Sequence, residues 1–506
     1  MQTIHLQNNM NIKFCLFVAS LFVGFSSNAL TVTTEAGNLK SSVGQNTDAS
    51  TLIVKGQLNA SDFEFIADNM KNLTSLDISD VEIVAYSGEK LFTGKTSAKA
   101  NILPDYALTG TNLTTINLPS TLIEIGEGAL SSTPLTQIII PESVTTIGMG
   151  AFSNCDGLTT ITIPSGVKTL SSHVFSNCDK LISANITNIS VINEYTFSQC
   201  NELQNILISE NLSEIKNSAF NGCSALQSFS FGDKLSLIGD NAFKFSGLTT
   251  IDMSKCSNLK SIGSWAFAEC YALTSVLLND NTAKIGEGAF FNDIALTELN
   301  IPTSCKHLSD YILKGTCNLD SSTISSATVD SIGAYALMGW SQITIITLPA
   351  SITHIGDNAF EDWTGLTKIY AGNLKTVVPT LGDSVWQDLN RQDITLVVAD
   401  NMEGDFRSMA QWQDFKITTT TGSDRIEDLY TNSETKIYFI GNDLIIEAES
   451  NIVSVDIYNT IGYQLIADKP NDIKHTINTS EWSARIYIVN VRLDNGTVTT
   501  VKVARQ

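Results

Sequence analysis

One motif recurs along most of this 506-residue chain at an almost constant interval. Its clearest copies, residues 140–155 and 348–360, run from Ile-Pro or Leu-Pro through an Ile-Gly step to Ala-Phe. A unit of this size cannot cover its own apolar face, so neighbouring copies have to stack into a solenoid. The residue that closes each copy, which we call the Phe position, recurs every 22 to 24 residues as Leu108, Leu130, Phe152, Phe175, Phe197, Phe220, Phe243, Phe267, Phe290, Leu313, Leu337 and Phe360.

Within one copy, the apolar pattern predicts a short strand followed by turns. In the copy that begins at Leu158, Ile161 and Ile163 alternate with Thr160 and Thr162, as in a strand with one buried face. The proline that follows has no N–H for a ladder and therefore ends the strand. The glycine of the Ile-Gly step is expected to take a positive φ in a turn. We therefore expect stacked parallel strands with the Phe position in the core.

The repeated Ile-Pro-x-x-Val-x-x-Ile-Gly-x-x-Ala-Phe-x-x-Cys pattern resembles the BspA-type leucine-rich repeats of Bacteroidetes and some mucosal parasites. The resemblance covers residues 51–417 and implies a leucine-rich-repeat solenoid of short parallel strands, with about 23 residues per repeat. Residues 58–73 resemble the helical cap that opens such arrays, and residues 406–415 resemble the segment that closes them. The copies at Leu313 and Leu337 lack Phe, so the stack is expected to bend or loosen there.

The chain changes character after the array. Residues 418–432 begin with Thr-Thr-Thr-Thr-Gly-Ser and are expected to be a linker. Residues 433–506 contain strand-like apolar runs separated by Gly, Asn and Asp, which predicts a small all-β sandwich. Residues 455–462 and 486–489 resemble parts of the C-terminal sorting domain of the type IX secretion system, which implies a role in export or surface retention. The alternative is an ordinary terminal β-domain with no sorting role.

The first residues have the pattern of a secretory signal peptide. Lys13 precedes an apolar run from Phe14 to Phe25, and Ser27-Asn28-Ala29 supplies a small-x-small cleavage site. We therefore predict a signal peptide over 1–29 and a linker over 30–50. An exported protein is expected at the cell surface or in the extracellular medium.

The charge of the chain disfavours polyanionic partners. Its formal net charge is −22, and it contains no run of Lys or Arg. Such a surface repels phosphate backbones and anionic membranes, so no nucleic-acid partner is expected. No segment after the signal is long and apolar enough to span a bilayer.

The sequence contains no constellation that predicts catalysis, a metal site or a cofactor. The five histidines have no metal-ligand spacing, and nucleophile-elbow and Walker motifs are absent. The Gly-x-Gly triplets fall at one turn of the repeat and lack the third glycine of a dinucleotide fingerprint. Cys305-Lys-His307 can be written as a nucleophile with a base, but a degenerate repeat turn is the favoured interpretation, because no third orienting group is identifiable. We therefore expect a protein that is not an enzyme.

The cysteines follow the repeat. Eight remain after removal of the signal, an even number that would ordinarily suggest disulfides in an exported chain. Five of them form a ladder in which stacked Cβ atoms point in parallel, which is poor disulfide geometry and favours buried thiols. A bridge among Cys256, Cys305 and Cys317 stays open. The ladder lies three residues after the Phe position and consists of Cys155, Cys178, Cys200, Cys223 and Cys270.

The outward side chains of the predicted strands are the candidate binding site. Stacking would place them in columns of short polar groups on one continuous surface, and short side chains lose little rotamer entropy on contact. Leu207, Leu277 and Ile345 would interrupt these columns with apolar spots. The candidate residues are Thr160, Thr162, Ser183, Asn185, Thr250, Asp252, Glu298 and Asn300, with Thr115, Asn117, Lys368 and Tyr370 in the same columns.

These features favour a non-catalytic secreted or surface protein. Our hypothesis is adhesion to a host or microbial macromolecule, protein or glycan, through the exposed strand face. The alternative is a structural spacer that presents the C-terminal domain, because every solenoid needs a polar outer strand face whether or not it binds.

Overall fold

The computed structural model of the protein describes residues 28–91, 93–325, 327–374, 376–420, 430–431, 435–440, 443–459, 464–479 and 486–504. It is a solenoid of stacked parallel strands followed by an antiparallel sheet, which confirms the predicted fold class. The predicted signal peptide, apart from its last two residues, lies outside the described residues. Most of the predicted linker 418–432 also lies outside them.

Residues 30–50 are not a linker, which corrects the prediction for this segment. They form the first strand and helix of the N-terminal cap, because Leu39 and Val43 are fully buried in the solenoid core. Asp62 holds the cap together: its carboxylate accepts hydrogen bonds from the N–H groups of Gly37, Leu39 and Asn59. The cap elements are β1 (Ala29–Thr34), α1 (Leu39–Val43), β2 (Thr51–Leu58), α2 (Ala60–Asn69), β3 (Ser75–Ile83) and the hairpin β4 (Tyr86–Ser87) and β5 (Ser97–Ala98).

Each regular repeat contributes two short parallel strands that belong to different ladders. The strands before the Pro step, which we call the first strands, are β7 (Thr115–Asn117), β10 (Thr160–Thr162), β12 (Ser183–Ile186), β14 (Asn205–Ile208), β17 (Thr250–Asp252), β19 (Ser275–Leu277), β21 (Glu298–Leu299), β24 (Ile345–Thr347), β26 (Lys368–Ala371), β28 (Thr395–Val398) and β29 (Lys416–Thr419). The second strands, before the Ile-Gly glycine, are β6 (Ile102–Leu103), β8 (Glu124–Ile125), β9 (Thr146–Ile147), β11 (Thr169–Leu170), β13 (Val191–Ile192), β15 (Glu214–Ile215), β16 (Leu237–Ile238), β18 (Ser261–Ile262), β20 (Lys284–Ile285), β22 (His307–Leu308), β23 (Ser331–Ile332), β25 (His354–Ile355) and β27 (Thr380–Leu381).

The ladder of first strands is broken at three rungs. Its sheets are β1-β2-β3-β7, β10-β12-β14, β17-β19-β21 and β24-β26-β28-β29. Residues 137–140 and 228–231, which occupy two of the rungs between these sheets, are not strands. At the third rung the one-turn helix α3 (Ser322–Ser325) replaces the strand, between the copies that close at Leu313 and Leu337. The first strands therefore form four separate sheets, and the prediction of one continuous strand surface is wrong.

Two aromatic side chains lie at the break at 228–231. Phe229 and Phe231 occupy the inward positions that hold Ile161 and Ile163 three repeats earlier. The ring of Phe229 packs edge-on against Phe243 at 5.1 Å, beside the ring stack of the core. This break therefore coincides with two rings in place of two isoleucines, whereas the rung 137–140 is interrupted without any ring.

Stacked rings form the axis of the core. From Phe152 to Phe290, successive Phe-position rings lie 5.1–5.7 Å apart, with interplanar angles of 6–13°. All of them are fully buried, which confirms the predicted core position. The stack resumes with Phe360 and Trp386, whose rings are 4.7 Å apart. Trp386 belongs to a thirteenth copy that the sequence analysis missed, because Trp replaces Phe after a longer interval.

The Ile-Gly glycine does not have a positive φ, which corrects a second expectation. A Cβ at Gly148 would lie 2.5 Å from the backbone nitrogen of Glu127 in the preceding repeat. Glycine is therefore required because stacked backbones approach each other closely, and not because of its own dihedral angles. The positive φ belongs to the residue two positions later, such as Gly150 at 60° or Gly288 at 57°.

Aromatic residues close the array. Trp412 and Phe406 pack edge-on at 5.3 Å, and Phe415 packs edge-on against Trp386. The strand β29, which is the final member of the first strands, ends at Thr419, two residues beyond the predicted end of the array. The closing elements are the 3₁₀ helices Arg391–Asp393, Asp400–Met402 and Trp412–Asp414 and the helix α4 (Glu403–Ser408).

The C-terminal region is all-β, as predicted, but it forms a single antiparallel sheet curled into a half-barrel. One 17-residue strand spans two of the predicted strand segments and pairs with four other strands. The strands Gln464–Asp468 and Asp472–Asn478 were not among the predicted runs, because most of their side chains are exposed and their apolar pattern is weak. The strands are β30 (Tyr430–Thr431), β31 (Thr435–Ile440), β32 (Asp443–Asn459), β33 (Gln464–Asp468), β34 (Asp472–Asn478), β35 (Ile486–Leu493) and β36 (Val498–Ala504).

Asp293 is a buried carboxyl in the solenoid core. It lies three residues after Phe290, where other repeats have Cys, and it is fully buried. Its Oδ1 atom accepts the N–H of Cys270 at 2.8 Å, while Oδ2 has no partner among the described residues. Burial raises the pKa of Asp293 well above its ordinary value because no cation compensates the charge.

Truncation of a ring in the stack should destabilise the array. We predict that Phe220→Ala lowers the free energy of unfolding by about 3–5 kcal/mol, because it removes contacts to the rings of Phe197 and Phe243 and leaves a cavity. Urea unfolding of the two proteins measures the difference. An unchanged midpoint would contradict the core assignment.

Neutralising Asp293 should stabilise the protein increasingly as pH rises. The folded state retains the proton of Asp293 to a higher pH than the unfolded chain. The stability contribution of this group is therefore complete below the unfolded pKa of about 4 and is lost as pH rises through the folded pKa. We predict that Asp293→Asn and the parent melt at similar temperatures near pH 4 and that the variant melts higher at pH 8.

The exposed Asp156 provides the control, because Asp156→Asn removes the same charge from the surface instead of the core. A constant melting difference between pH 4 and pH 8 for Asp293→Asn would show that its carboxyl does not titrate differently on folding.

Candidate functional site

The outward side chains of the first strands, which we call the strand face, form two columns in register. Thr160 lies beside Ser183, and Thr162 lies beside Asn185. These four residues share the sheet β10-β12-β14. The columns continue beyond the break at 228–231, where β17, β19 and β21 bring Thr250, Asp252, Glu298 and the adjoining Asn300 together. The predicted site residues therefore form two groups in different sheets.

The two groups differ in how many polar atoms remain available. Thr160 and Thr162 are exposed, Ser183 is half-buried, and none of the three side chains has a hydrogen-bond partner among the described residues. By contrast, both amide atoms of Asn300 bond to the backbone of Leu278, at 2.7 and 3.0 Å. The amide of Asn300 extends the ladder and is not free to bind a partner.

The acidic residues of the second group also make local contacts. The Oδ1 atom of Asp252 accepts bonds from the hydroxyl and the N–H of Ser254, and these bonds lower the pKa of Asp252. Glu298 accepts a hydrogen bond from the hydroxyl of Ser275 at 3.1 Å. Both acidic side chains are exposed on this part of the face.

Apolar side chains interrupt the polar columns. Leu207, Leu277 and Ile345 are exposed by 59, 44 and 50%, in agreement with the sequence interpretation. Ile139, which the sequence analysis missed, is exposed by 84% and lies at the broken rung 137–140. Its signal was the unbroken run Ile138-Ile139-Ile140, which violates the alternation of a half-buried strand. Exposed apolar residues within a polar surface are typical of protein-binding faces.

The cysteines of the ladder are hydrogen-bond donors in the core. All eight described cysteines are free thiols, including Cys256, Cys305 and Cys317, for which a bridge was left open. Each ladder thiol donates to the carbonyl oxygen of the Phe position one repeat earlier, as from Cys200 to Phe175 at 3.1 Å. The indole N–H groups of Trp340 and Trp363 make the same contact in later repeats.

Burial makes these thiols poor nucleophiles. It raises the pKa of Cys155 to about 11 and that of Cys223 to about 12, so the reactive thiolate is not populated at neutral pH. In the Cys305-Lys-His307 segment, the thiol of Cys305 donates to the carbonyl oxygen of His307, and the exposed imidazole bonds to Ser331 instead. This segment is therefore not a nucleophile activated by a base.

Within the described ranges, no group of three or more His, Cys, Asp or Glu side chains is placed to hold a metal ion. None of the described helices is long and apolar enough to cross a membrane. The strand face remains the candidate binding site.

Comparison with known proteins places this array in a family. The family described as BspA type leucine-rich repeat region (six copies) matches this chain over residues 79–203, 190–316 and 260–391. These ranges together cover more than half of the chain. No curated protein matches the chain.

One solved structure shares the fold, and a second resembles this chain in sequence. A leucine-rich repeat protein from Bacteroides ovatus is 22% identical, with a TM-score of 0.55, over 69% of this chain and 84% of that one. A leucine-rich cell surface protein from Faecalibacterium prausnitzii is 23% identical over 56% of this chain and 86% of that one, with a TM-score of 0.36.

Proteins built from this repeat are typically non-enzymatic surface proteins that take part in binding. The repeat matches, the stacked parallel strands and the ring core all agree, and this chain belongs to the BspA-type leucine-rich repeat family.

Proposed function

We propose that this chain is an exported, non-catalytic surface protein that binds a host or microbial macromolecule through the strand face. The observation that carries the proposal is the set of exposed apolar side chains among short polar ones. Ile139 and Leu207 flank the group of Thr160, Thr162 and Ser183 within the outward columns. Apolar anchors surrounded by polar groups are the arrangement that most protein interfaces use, so a protein surface is the favoured partner.

The alternative is an inert spacer that presents the C-terminal domain. A spacer needs a polar outer surface, but it has no need for Ile139, which is exposed by 84%. Loss of binding when repeats are removed would favour recognition by the array, whereas full function of a shortened array would favour a spacer.

Charge substitution on the strand face should abolish binding without unfolding the stack. We predict this result for the combined replacement by Lys of Thr160, Thr162, Ser183 and Asn185, none of which is buried. Single substitutions should each weaken binding by about 0.5–1.5 kcal/mol, because contact is shared over several repeats. Binding to a panel of host proteins and glycans, measured with the melting temperature, tests the proposal.

A matched control adds the same four charges elsewhere. Thr145, Thr146, Ser165 and Thr169 are exposed in and beside the second strands, and their replacement by Lys should leave binding intact. If the strand-face variant still binds and the control variant does not, the binding site does not lie on the strand face.

We further propose that residues 433–506, together with β30, act as a sorting or retention domain and that residues 1–29 direct export. The predicted linker 418–432 is shorter than expected, because β29 extends to Thr419 and β30 covers Tyr430–Thr431. Support comes from a separate hydrophobic core in the C-terminal sheet, which includes Ile437, Val455 and Val489. This core shares no residue with the core of the solenoid, so the two units can fold independently.

Deletion of the C-terminal domain should change where the protein accumulates. A chain that ends at residue 432 should melt like the parent array, because the solenoid core contains no residue from the deleted part. We predict a shift between the cell surface and the medium, measured by immunoblotting of both fractions. Unchanged levels in both would show that the domain has no sorting role.

A further inference from the structure

A second surface of the array carries aromatic side chains at a position that disfavours them. Two residues before each Phe position the backbone has a positive φ, and Gly128, Gly150 and Asn241 are suited to it. Large side chains are strained there. Nevertheless, six repeats have an aromatic ring with φ of 56–61° at this position, namely Tyr106, His173, Tyr195, Trp265, Tyr311 and Tyr335.

Three of these rings belong to one cluster, which we call the aromatic edge. It consists of Phe245, Trp265, Phe291, Tyr311 and Tyr335. The ring of Trp265 lies 5.2 Å from Phe291 and 6.2 Å from Tyr311, and Tyr311 stacks on Tyr335 at 5.0 Å. Four of the rings are therefore in contact, and the ammonium group of Lys244 lies against both Trp265 and the fifth ring, Phe245.

The aromatic edge is open to solvent, unlike the ring stack of the core. Phe245 is exposed by 40%, and the other four rings are half-buried. Gly288 makes room for the indole, since a Cβ there would lie 2.6 Å from the ring of Trp265. The other tryptophans of the described residues are at most 1% exposed, so the half-buried Trp265 is exceptional.

Polar groups of both signs border the rings. The ammonium group of Lys244 lies 5.0 Å from the ring centroid of Phe245, and that of Lys314 lies 5.2 Å from that of Tyr335. Lys244 also pairs with Glu269 at 3.6 Å. Lys314 has no carboxylate partner among the described residues. Hydrogen-bond donors and acceptors thus alternate along the margin of an apolar surface.

We propose that the aromatic edge binds a neutral polysaccharide. Sugar rings present apolar C–H faces, which can pack on aromatic surfaces, and hydroxyl groups, which both donate and accept hydrogen bonds. Lys314 can donate to such hydroxyls, and the carboxylate of Glu269 can accept from them. A polyanion is disfavoured, because carboxylates border the edge and the chain has a net charge of −22. This site is separate from the strand face and does not depend on its function.

Substitutions that suit the backbone can test the site without loss of folding. In the full-length protein, Trp265→Asn combined with Tyr311→Asn removes two rings at positions where Asn is favoured over an aromatic residue. The variant should melt no lower than the parent. Tyr106→Asn combined with Tyr195→Asn is the matched control, because both residues have the same backbone conformation but lie outside the aromatic edge.

The probes are dextran, soluble starch and xylan, each cast into a native gel in which retardation measures binding. Polygalacturonate and heparin serve as polyanionic probes. We expect at least one neutral probe to retard the parent and the control equally, and the edge variant to bind it about tenfold more weakly. The intrinsic fluorescence of Trp265 should change on addition of the same probe.

Several results would overturn the proposal. These are failure of every neutral polysaccharide to retard the parent, equal retardation of the edge variant, and preferential binding of either polyanion. The strand-face Lys variant separates the two proposals, since it should still bind the polysaccharide. If it loses polysaccharide binding while the edge variant retains it, the glycan site belongs to the strand face.

Discussion

The stacking of the side chains at the Phe position, aromatic in nine of the thirteen copies and Leu in the other four, is the interaction on which the rest of this structure depends. Parallel rings about 5.1–5.7 Å apart set the separation of successive turns of the chain. At this separation the backbone of each Ile-Gly step touches that of the preceding repeat, which excludes any side chain at Gly148. The two strand ladders, the buried thiols and the surface columns all follow from a repeat that must superimpose on itself. One interruption of the ladder of first strands coincides with two further rings in the core, Phe229 and Phe231.

Side-chain hydrogen bonds between repeats satisfy the backbone where no strand exists. Asp240 and Asp357 each accept the N–H of the corresponding residue in the next repeat, both at 2.7 Å. The Cys and Trp side chains after the Phe position donate to carbonyl oxygens in the core. This arrangement explains why chemically different residues alternate at one position: each provides a donor that fits under the ring stack. Asp293 is the exception, because its carboxyl cannot donate unless it is protonated.

The surface of such an array is organised by the same periodicity. Outward strand residues form columns in which Thr and Asn surround Ile139, Leu207 and Leu277. The turn residues form another surface, where Trp265 and Tyr311 tolerate a strained backbone and remain partly open to solvent. A protein partner and a neutral glycan would contact different surfaces and need not compete. The repeated core thus leaves these surface positions free to vary, so that a non-catalytic scaffold can carry two distinct binding chemistries.

The sequence by itself determined the repeat, its stacking, the buried Phe position and the two-part organisation. These depend on an apolar pattern that recurs every 22 to 24 residues, and each of its copies repeats the same local information. Only the tertiary structure decided where the strand ladder breaks, which polar columns are free, and how the rings of the aromatic edge meet. Those features depend on whether particular side chains fit across neighbouring repeats: Phe231 has to share the core with other rings, and Asn300 uses its amide internally. The spacing of residues along the chain does not show which side chains fit together or which hydrogen bonds form, because both are decided only when the repeats pack together.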